Sequence, residues 1–435
     1  MQFENSRKMQ ARFQALIPGG AHTYAKGDDQ YPEAMPLYIA RGRGCRVWDI
    51  DGNEFIEYGS GLRTVTLGHA FEPVLEAVRD QLPLGTNFVR PSPIELECAE
   101  LVQQMIPCAE MVKFGKHGSD VTNAAVKLAR AYTRRDLVAI CGDHPFFSVD
   151  DWFIGSTPVA AGIPEAVRRL TLKFRYNDLD SLRLLFEQHP KQIAGVVLEP
   201  EREQPPPPGY LAGLKRVCAE EGAVLIFDEM ITGFRWDNGG GQKYHGVLPD
   251  LAAFGKGMGN GFSVSALAGR REIMNLGGLT HDRERVFLLS TTHGAETHGL
   301  AAGLATMRYY QDHPVVAKLW RQGARLADGV RSAAHRLGLD AHFQVFGQPC
   351  CLLYATRDAD GKPSQGFRTL FLQETIQRGV LAPSLVVNYS HEDADIDATV
   401  NAVAGALEVY RQALDQRLDR FLTGRPVKPV FRRYN

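Results

Sequence analysis

Between residues 71 and 310 the chain alternates helical patterns with short apolar runs at 111–114, 137–141, 194–198, 223–227, 251–254 and 264–268. Runs of this length with little internal alternation suit strands covered on both faces. Their regular alternation with helices predicts an α/β fold with a mainly parallel central sheet and helices on both faces. Before this region, residues 6–17 read as a helix with Met9, Phe13, Leu16 and Ile17 on one face, closed by Pro18-Gly19-Gly20. Residues 37–58 read as an antiparallel meander turning at Gly42-Arg43-Gly44 and Asp51-Gly52-Asn53. After Tyr310 the pattern predicts a helix at 314–337, strands at 343–346 and 351–354, a further helix and a long final one. In the last, Ile396, Val400, Val403, Leu407, Tyr410, Leu414, Leu418 and Phe421 recur at helical spacing, with Ser390 and Asp393 as a capping box. The expected organisation is an N-terminal lobe at 1–70, a large domain at 71–310 and a C-terminal α/β lobe at 311–435. No internal repeat is present, and the run Pro205 to Pro208 reads as a rigid surface turn.

Two of the apolar runs end in chemistry. Asp228-Glu229 follows the run at 223–227, and Gly255-Lys256-Gly257 follows the run at 251–254. Open α/β sheets bind ligands at the carboxyl ends of their strands. A carboxylate on one strand end and an amine on a neighbouring one is what pyridoxal phosphate chemistry requires: the amine forms the Schiff base and the carboxylate keeps the pyridine nitrogen protonated. Either group alone is an ordinary solvated strand end.

The stretches LIFDEMITGFR and PDLAAFGKGMGNG together resemble the core of class III, fold type I aminotransferases, in the branch similar to glutamate-1-semialdehyde 2,1-aminomutase. The resemblance runs from IPGG near the N-terminus to GVLAPS near the end. It implies a pyridoxal 5'-phosphate enzyme, with Lys256 as the Schiff-base lysine and Asp228 as the pyridinium partner. In FGKHGS, at the start of a helix pattern, it places Gly118 and Ser119 at the phosphate pair. Counting back from Trp152 in GDHPFFSVDDW, it places Phe146 on the pyridine face and Phe147 where a histidine is usual. Met230 falls on the opposite ring face and Glu199, in AGVVLEP, close behind the cofactor. Thr292 aligns with a threonine that reaches the phosphate of the neighbouring subunit's cofactor, which implies a homodimer with shared sites.

The substrate side departs from the aminomutase pattern. Lys26 stands where that enzyme carries an arginine after IPGG, Leu62 lies where it has the Gly-Ser-Trp stretch, and Val387 replaces its acid after Ala-Pro-Ser. Arg63 is a new charge and a candidate clamp for a carboxylate or phosphate, with Lys26 as a second substrate contact. These departures favour transfer of an amino group from an amino-acid donor to a separate carbonyl compound, a keto sugar or sugar acid among the candidates. The alternatives are the aminomutase itself and, in another class, a non-catalytic pyridoxal-phosphate-binding protein or a structural member of a biosynthetic complex.

Composition narrows this little. The 49 basic and 50 acidic residues nearly cancel, giving no case for nucleic acid or an anionic membrane as partner. Seven cysteines without CxxC spacing suit free thiols in a reducing compartment. The N-terminus lacks an apolar segment and no apolar run spans a bilayer, so the cytoplasm is expected. His293, Glu296 and His298 do not follow HExxH order, and no metal site is expected.

Overall fold

Seven strands form the large sheet, in the spatial order Met111–Gly115, Ser265–Gly269, Leu251–Phe254, Val224–Asp228, Ile193–Leu198, Leu137–Cys141, Thr171–Phe174. The five from Leu251–Phe254 to Thr171–Phe174 pair in parallel. Ser265–Gly269 runs antiparallel to both its neighbours, so the sheet is mixed rather than wholly parallel. Ile193–Leu198 and Val224–Asp228 are buried at every position, which is why their sequences are continuously apolar. Helix Gly118–Thr133 packs on this sheet, and helix Thr297–Asp312 packs against Glu72–Gln81 and Pro93–Met105. The apolar runs thus mark the strands, with one exception. Thr171–Phe174 is a half-exposed edge strand whose alternating polar residues hide it from a search for apolar runs.

The computed structural model describes residues 1–434, which fall into two compact units. One spans residues 72–316 and holds the large sheet; the other joins residues 1–71 to the chain from Ala317 onward. In this second unit Ile39–Arg43, Arg46–Asp49 and Glu54–Glu57 form the antiparallel meander, and Val380–Leu381 adds in parallel to Glu54–Glu57. Phe343–Phe346 and Leu353–Thr356 make a separate antiparallel pair. The final helix is Asp393–Gln416, and Arg417, at φ 110°, ends it, so Leu418 lies in a following turn and Phe421 just beyond. Its N-terminus is closed by Glu392, whose N–H donates to Asp395 Oδ2 at 3.0 Å, whereas the Ser390 hydroxyl donates to Leu67 O at 2.7 Å. The basic tail is tied to the acidic loop after Lys26: Arg432 pairs with Asp29 at 2.7 Å and Arg425 N donates to Glu33 Oε2 at 2.9 Å.

Gly233 lets the chain after Asp228 lie close on strand Leu251–Phe254. A Cβ there would come within 2.7 Å of both Glu229 O and the Phe254 ring. Gly233→Ala is expected to cost about 1–3 kcal/mol of overpacking, read as a lower urea midpoint; an unchanged midpoint would contradict this close packing.

Candidate active site

Asp228 ends a central strand and is 3% exposed. Adjacent register sets Asp228 opposite Ala253, and Glu229 N donates to Ala253 O at 2.9 Å, so the carboxylate and the residues leading into Lys256 meet across one strand pair. The two acids of Asp228-Glu229 part company. Glu229 turns inward, where its carboxylate accepts from Gly241 N at 2.7 Å, from Gln242 N at 2.8 Å and from the Thr232 hydroxyl. It therefore closes the start of helix Gly240–His245. Asp228 Oδ1 accepts from Met230 N at 2.9 Å.

Lys256 follows Gly255 and has φ 42°, a left-handed conformation that side chains with a Cβ rarely adopt. Behind it the Tyr310 hydroxyl donates to Gly257 O at 2.7 Å from within the core, and Tyr310 stacks on Phe234 at 5.6 Å. Met230 links this loop to the next element. A Cβ on Gly255 would come within 2.8 Å of Met230 Sδ, and one on Gly118 within 3.0 Å.

Gly118 begins helix Gly118–Thr133, where first-turn amides have no partner within the helix. Asp120 Oδ2 accepts from Lys116 N at 2.9 Å and His117 N at 2.8 Å, and Ser265 Oγ donates to His117 O at 2.9 Å. The same turn is stitched to the aromatic loop. Ser119 Oγ accepts from Val149 N at 3.0 Å, and Thr122 Oγ1 donates to Phe147 O at 2.8 Å. Phe146 is 43% exposed, edge-on to Phe153, while Phe147 is 1% exposed in the core.

Glu199 and His144 complete the strand-end cluster. Glu199 is 2% exposed, its Oε1 accepts from Arg202 NH1 at 2.6 Å, and its own N–H donates to His144 Nδ1 at 3.0 Å. That bond makes Nδ1 the acceptor and leaves the proton of the neutral ring on Nε2; burial pushes the imidazole down to about 4. Sequence reasoning missed both His144 and Arg202, although the histidine stands within GDHPFF. The two buried acids diverge electrostatically. Burial raises Glu199, but Arg202, His144 and Lys256 outweigh it and hold the carboxyl below its ordinary range. Burial and the Glu199 charge push Asp228 up to about 7, with Lys256 pulling the other way.

Thr292 is exposed, in a loop held by Asn87 Nδ2, which donates to Thr292 O at 3.0 Å. Nearby Glu296 pairs with Lys116 at 2.8 Å and His293 at 2.8 Å. Lys26 and Arg63 belong to the other unit: Lys26 is exposed, and Arg63 ends the turn Ser60–Arg63. Val387 is fully buried with Leu385 and Val386.

The residues of the strand-end cluster fit pyridoxal phosphate. A buried carboxylate pushed up to about 7 calls for a cationic N–H, and Glu199 Oε2 is buried without a hydrogen-bond partner among the described residues. A helix start with a buried serine suits a phosphate, and Met230 and Phe146 offer apolar faces for a flat ring.

The model of the family described as Aminotransferase class-III matches residues 27–143 and 148–345. Glutamate-1-semialdehyde 2,1-aminomutase 2 of Brevibacillus brevis is 33% identical over 430 residues, covering 94% of this chain and 99% of its own. Among solved structures, an omega-transaminase from Sphaerobacter thermophilus is similar at TM-score 0.84 and 29% identity, over 93% of this chain and 98% of that one. The FumI protein of Sphingopyxis sp. MTA144, solved in its PLP internal aldimine form, is similar at TM-score 0.86 and 25% identity, over 94% and 97%. The chain belongs to the class III aminotransferase family and is a pyridoxal-phosphate-dependent enzyme of fold type I.

Proposed function

We propose that this enzyme moves an amino group from an amino-acid donor to a separate carbonyl compound, a keto sugar or sugar acid, in a cytoplasmic homodimer with shared sites. The observation that carries the choice of reaction is the substrate side. Val387, fully buried like Leu385 and Val386, puts an apolar side chain where the aminomutase pattern has an acid, while Arg63 supplies a cation that pattern lacks. The aminomutase is the second reading, favoured by the likeness to the Brevibacillus brevis aminomutase. For the dimer, the support is the exposed Thr292, assigned to the phosphate of the second subunit's cofactor. For the compartment, it is seven free, buried cysteines; among the described residues no helix is long and apolar enough to cross a membrane.

Bound at the strand ends, pyridoxal phosphate supplies an electrophilic carbonyl and an electron sink. With the cofactor bound, Lys256 Nζ would be its covalent anchor and would carry the proton removed from the donor's α-carbon. Asp228 would favour a proton on the ring nitrogen. Gly118 and Ser119 would hold the phosphate through first-turn amides and a hydroxyl. Phe146 and Met230 would offer the ring apolar contacts, and Glu199 would lie near the cofactor. Arg63 and Lys26 take the anionic group of the substrate.

Borohydride reduction followed by peptide mapping is expected to place the pyridoxyl group on Lys256; label on another lysine would refute the assignment. Glutamate offered with a panel of keto sugars and aldehydes should give donor-dependent amination. Conversion of glutamate-1-semialdehyde alone to 5-aminolevulinate, with no acceptor aminated, would establish the aminomutase instead. The Asp228 carboxyl also has a signature without cofactor. Its folded pKa of about 7 lies above the ordinary carboxylate value, so the folded state holds a proton that the unfolded state has lost. Its effect on stability therefore worsens as pH rises from about 4 to about 7 and then levels off. Cofactor-free Asp228→Asn should gain stability over the unaltered protein as pH is raised from 5 to 8. A gap that does not change with pH would contradict this burial.

A further inference from the structure

Ser60, Gly61, Leu62 and Arg63 have φ of 44°, 59°, 62° and 69° in succession, between Gly59 and Thr64 in the right-handed region. Helix-like bonds close the turn: Arg63 N donates to Gly59 O at 3.0 Å and Thr64 N to Ser60 O at 2.8 Å. It is one turn of left-handed helix in which a single residue is glycine. A Cβ in this conformation crowds the following carbonyl, so left-handed residues normally occur singly. Among the described residues, the other non-glycine residues with positive φ stand alone, such as Arg134 at 57°, or, like Asn260 before Gly261, beside a single glycine.

Strain of this kind persists only where the surroundings over-determine it, and it gathers at functional sites. Here both flanks are pinned to one segment. Ser384 Oγ donates to Tyr58 O at 3.1 Å, Tyr389 N to Thr66 O at 2.8 Å and Ser390 Oγ to Leu67 O at 2.7 Å. Ser60 is fully buried, with Asn388 Nδ2 at 3.4 Å from its hydroxyl, and Thr64 Oγ1 donates to Gly61 O at 2.9 Å. The pinning segment, Ser384 to Ser390, contains Val387. Two departures from the aminomutase pattern, some 320 residues apart in sequence, are thus parts of one local structure. Glycine would relax each of these positions, yet serine, leucine and arginine stand at 60, 62 and 63.

We propose that the Ser60–Arg63 turn is the specificity element for the carbonyl substrate: its left-handed path fixes the Arg63 guanidinium to grip a carboxylate or phosphate, and the fold keeps the strain for that purpose. This rests on the assignment of Arg63 to the substrate. Leu62 is a positioning residue, acting through Arg63.

The test uses the holoenzyme with pyruvate, fructose 6-phosphate and uncharged fructose as probes, each read as KM or, where it is not turned over, as an inhibition constant against the donor half-reaction. Leu62→Gly should raise the melting temperature by several degrees, as relief of strain does. It should also weaken the anionic probe that the enzyme prefers about tenfold, with a much smaller change in kcat or in the fructose constant. The preference between pyruvate and fructose 6-phosphate tells carboxylate from phosphate. Arg134→Gly, at an isolated left-handed position, should gain stability without altering either constant. No gain in stability for Leu62→Gly, or a gain with unchanged anion constants, would overturn the proposal, as would a protein that binds neither anion. Arg63→Gln separates the two layers. If it leaves the anion constants unchanged, the assignment of Arg63 is wrong; if it raises them and Leu62→Gly does not, only the role of the turn is wrong.

Discussion

The site depends on a carboxylate kept out of water. In solvent Asp228 would ionise readily and hold nothing in particular; at the end of a fully buried strand it is pushed up to about 7. Three acids crowd this region and each is stabilised differently. Glu229 is satisfied by the amides that begin helix Gly240–His245, and Glu199 is held ionised by Arg202 at 2.6 Å. In our proposal, a cationic ring nitrogen would supply the stabilisation that burial denies to Asp228. Lys256, brought close by strand register, completes the balance. Binding the cofactor would then also relieve Asp228.

Around this charge the rest of the unit is arranged to keep positions fixed. Met230 lies against both Gly255 and the start of helix Gly118–Thr133, Ser119 and Thr122 fasten the aromatic loop to that helix, and Tyr310 braces Gly257. Each bond is modest alone, on the order of 1 kcal/mol, but together they leave the site few ways to relax. Cofactor chemistry of this kind gains from such fixed groups, because the protein contributes orientation and electrostatics while the cofactor contributes reactivity.

Much of this was legible in the chain because burial on both faces writes itself as apolar runs. The strands carrying Asp228 and leading to Lys256 were visible in that way, and so was the pairing of acid and amine. What stayed hidden had weak or misleading local signals. Thr171–Phe174 alternates like a surface segment, Val380–Leu381 is too short to register, and the reversed direction of Ser265–Gly269 leaves no trace in composition. Ser390 looked like a helix cap but bonds to Leu67, a contact across the fold. His144 and Arg202 act through Glu199, and nothing in their own neighbourhoods reveals it. The left-handed turn is invisible because leucine and arginine argue against it; only the tertiary ties to the Ser384–Ser390 segment impose it.

The central claim, that buried Asp228 exists to keep the ring nitrogen protonated, is tested most directly by nitrogen-15 NMR of the enzyme loaded with cofactor labelled at the pyridine nitrogen. The account predicts a pyridinium shift that holds from about pH 6 to 9 and that moves to the neutral-pyridine position in Asp228→Asn. A nitrogen that titrates within this range in the unaltered enzyme, or one indifferent to the substitution, would contradict it.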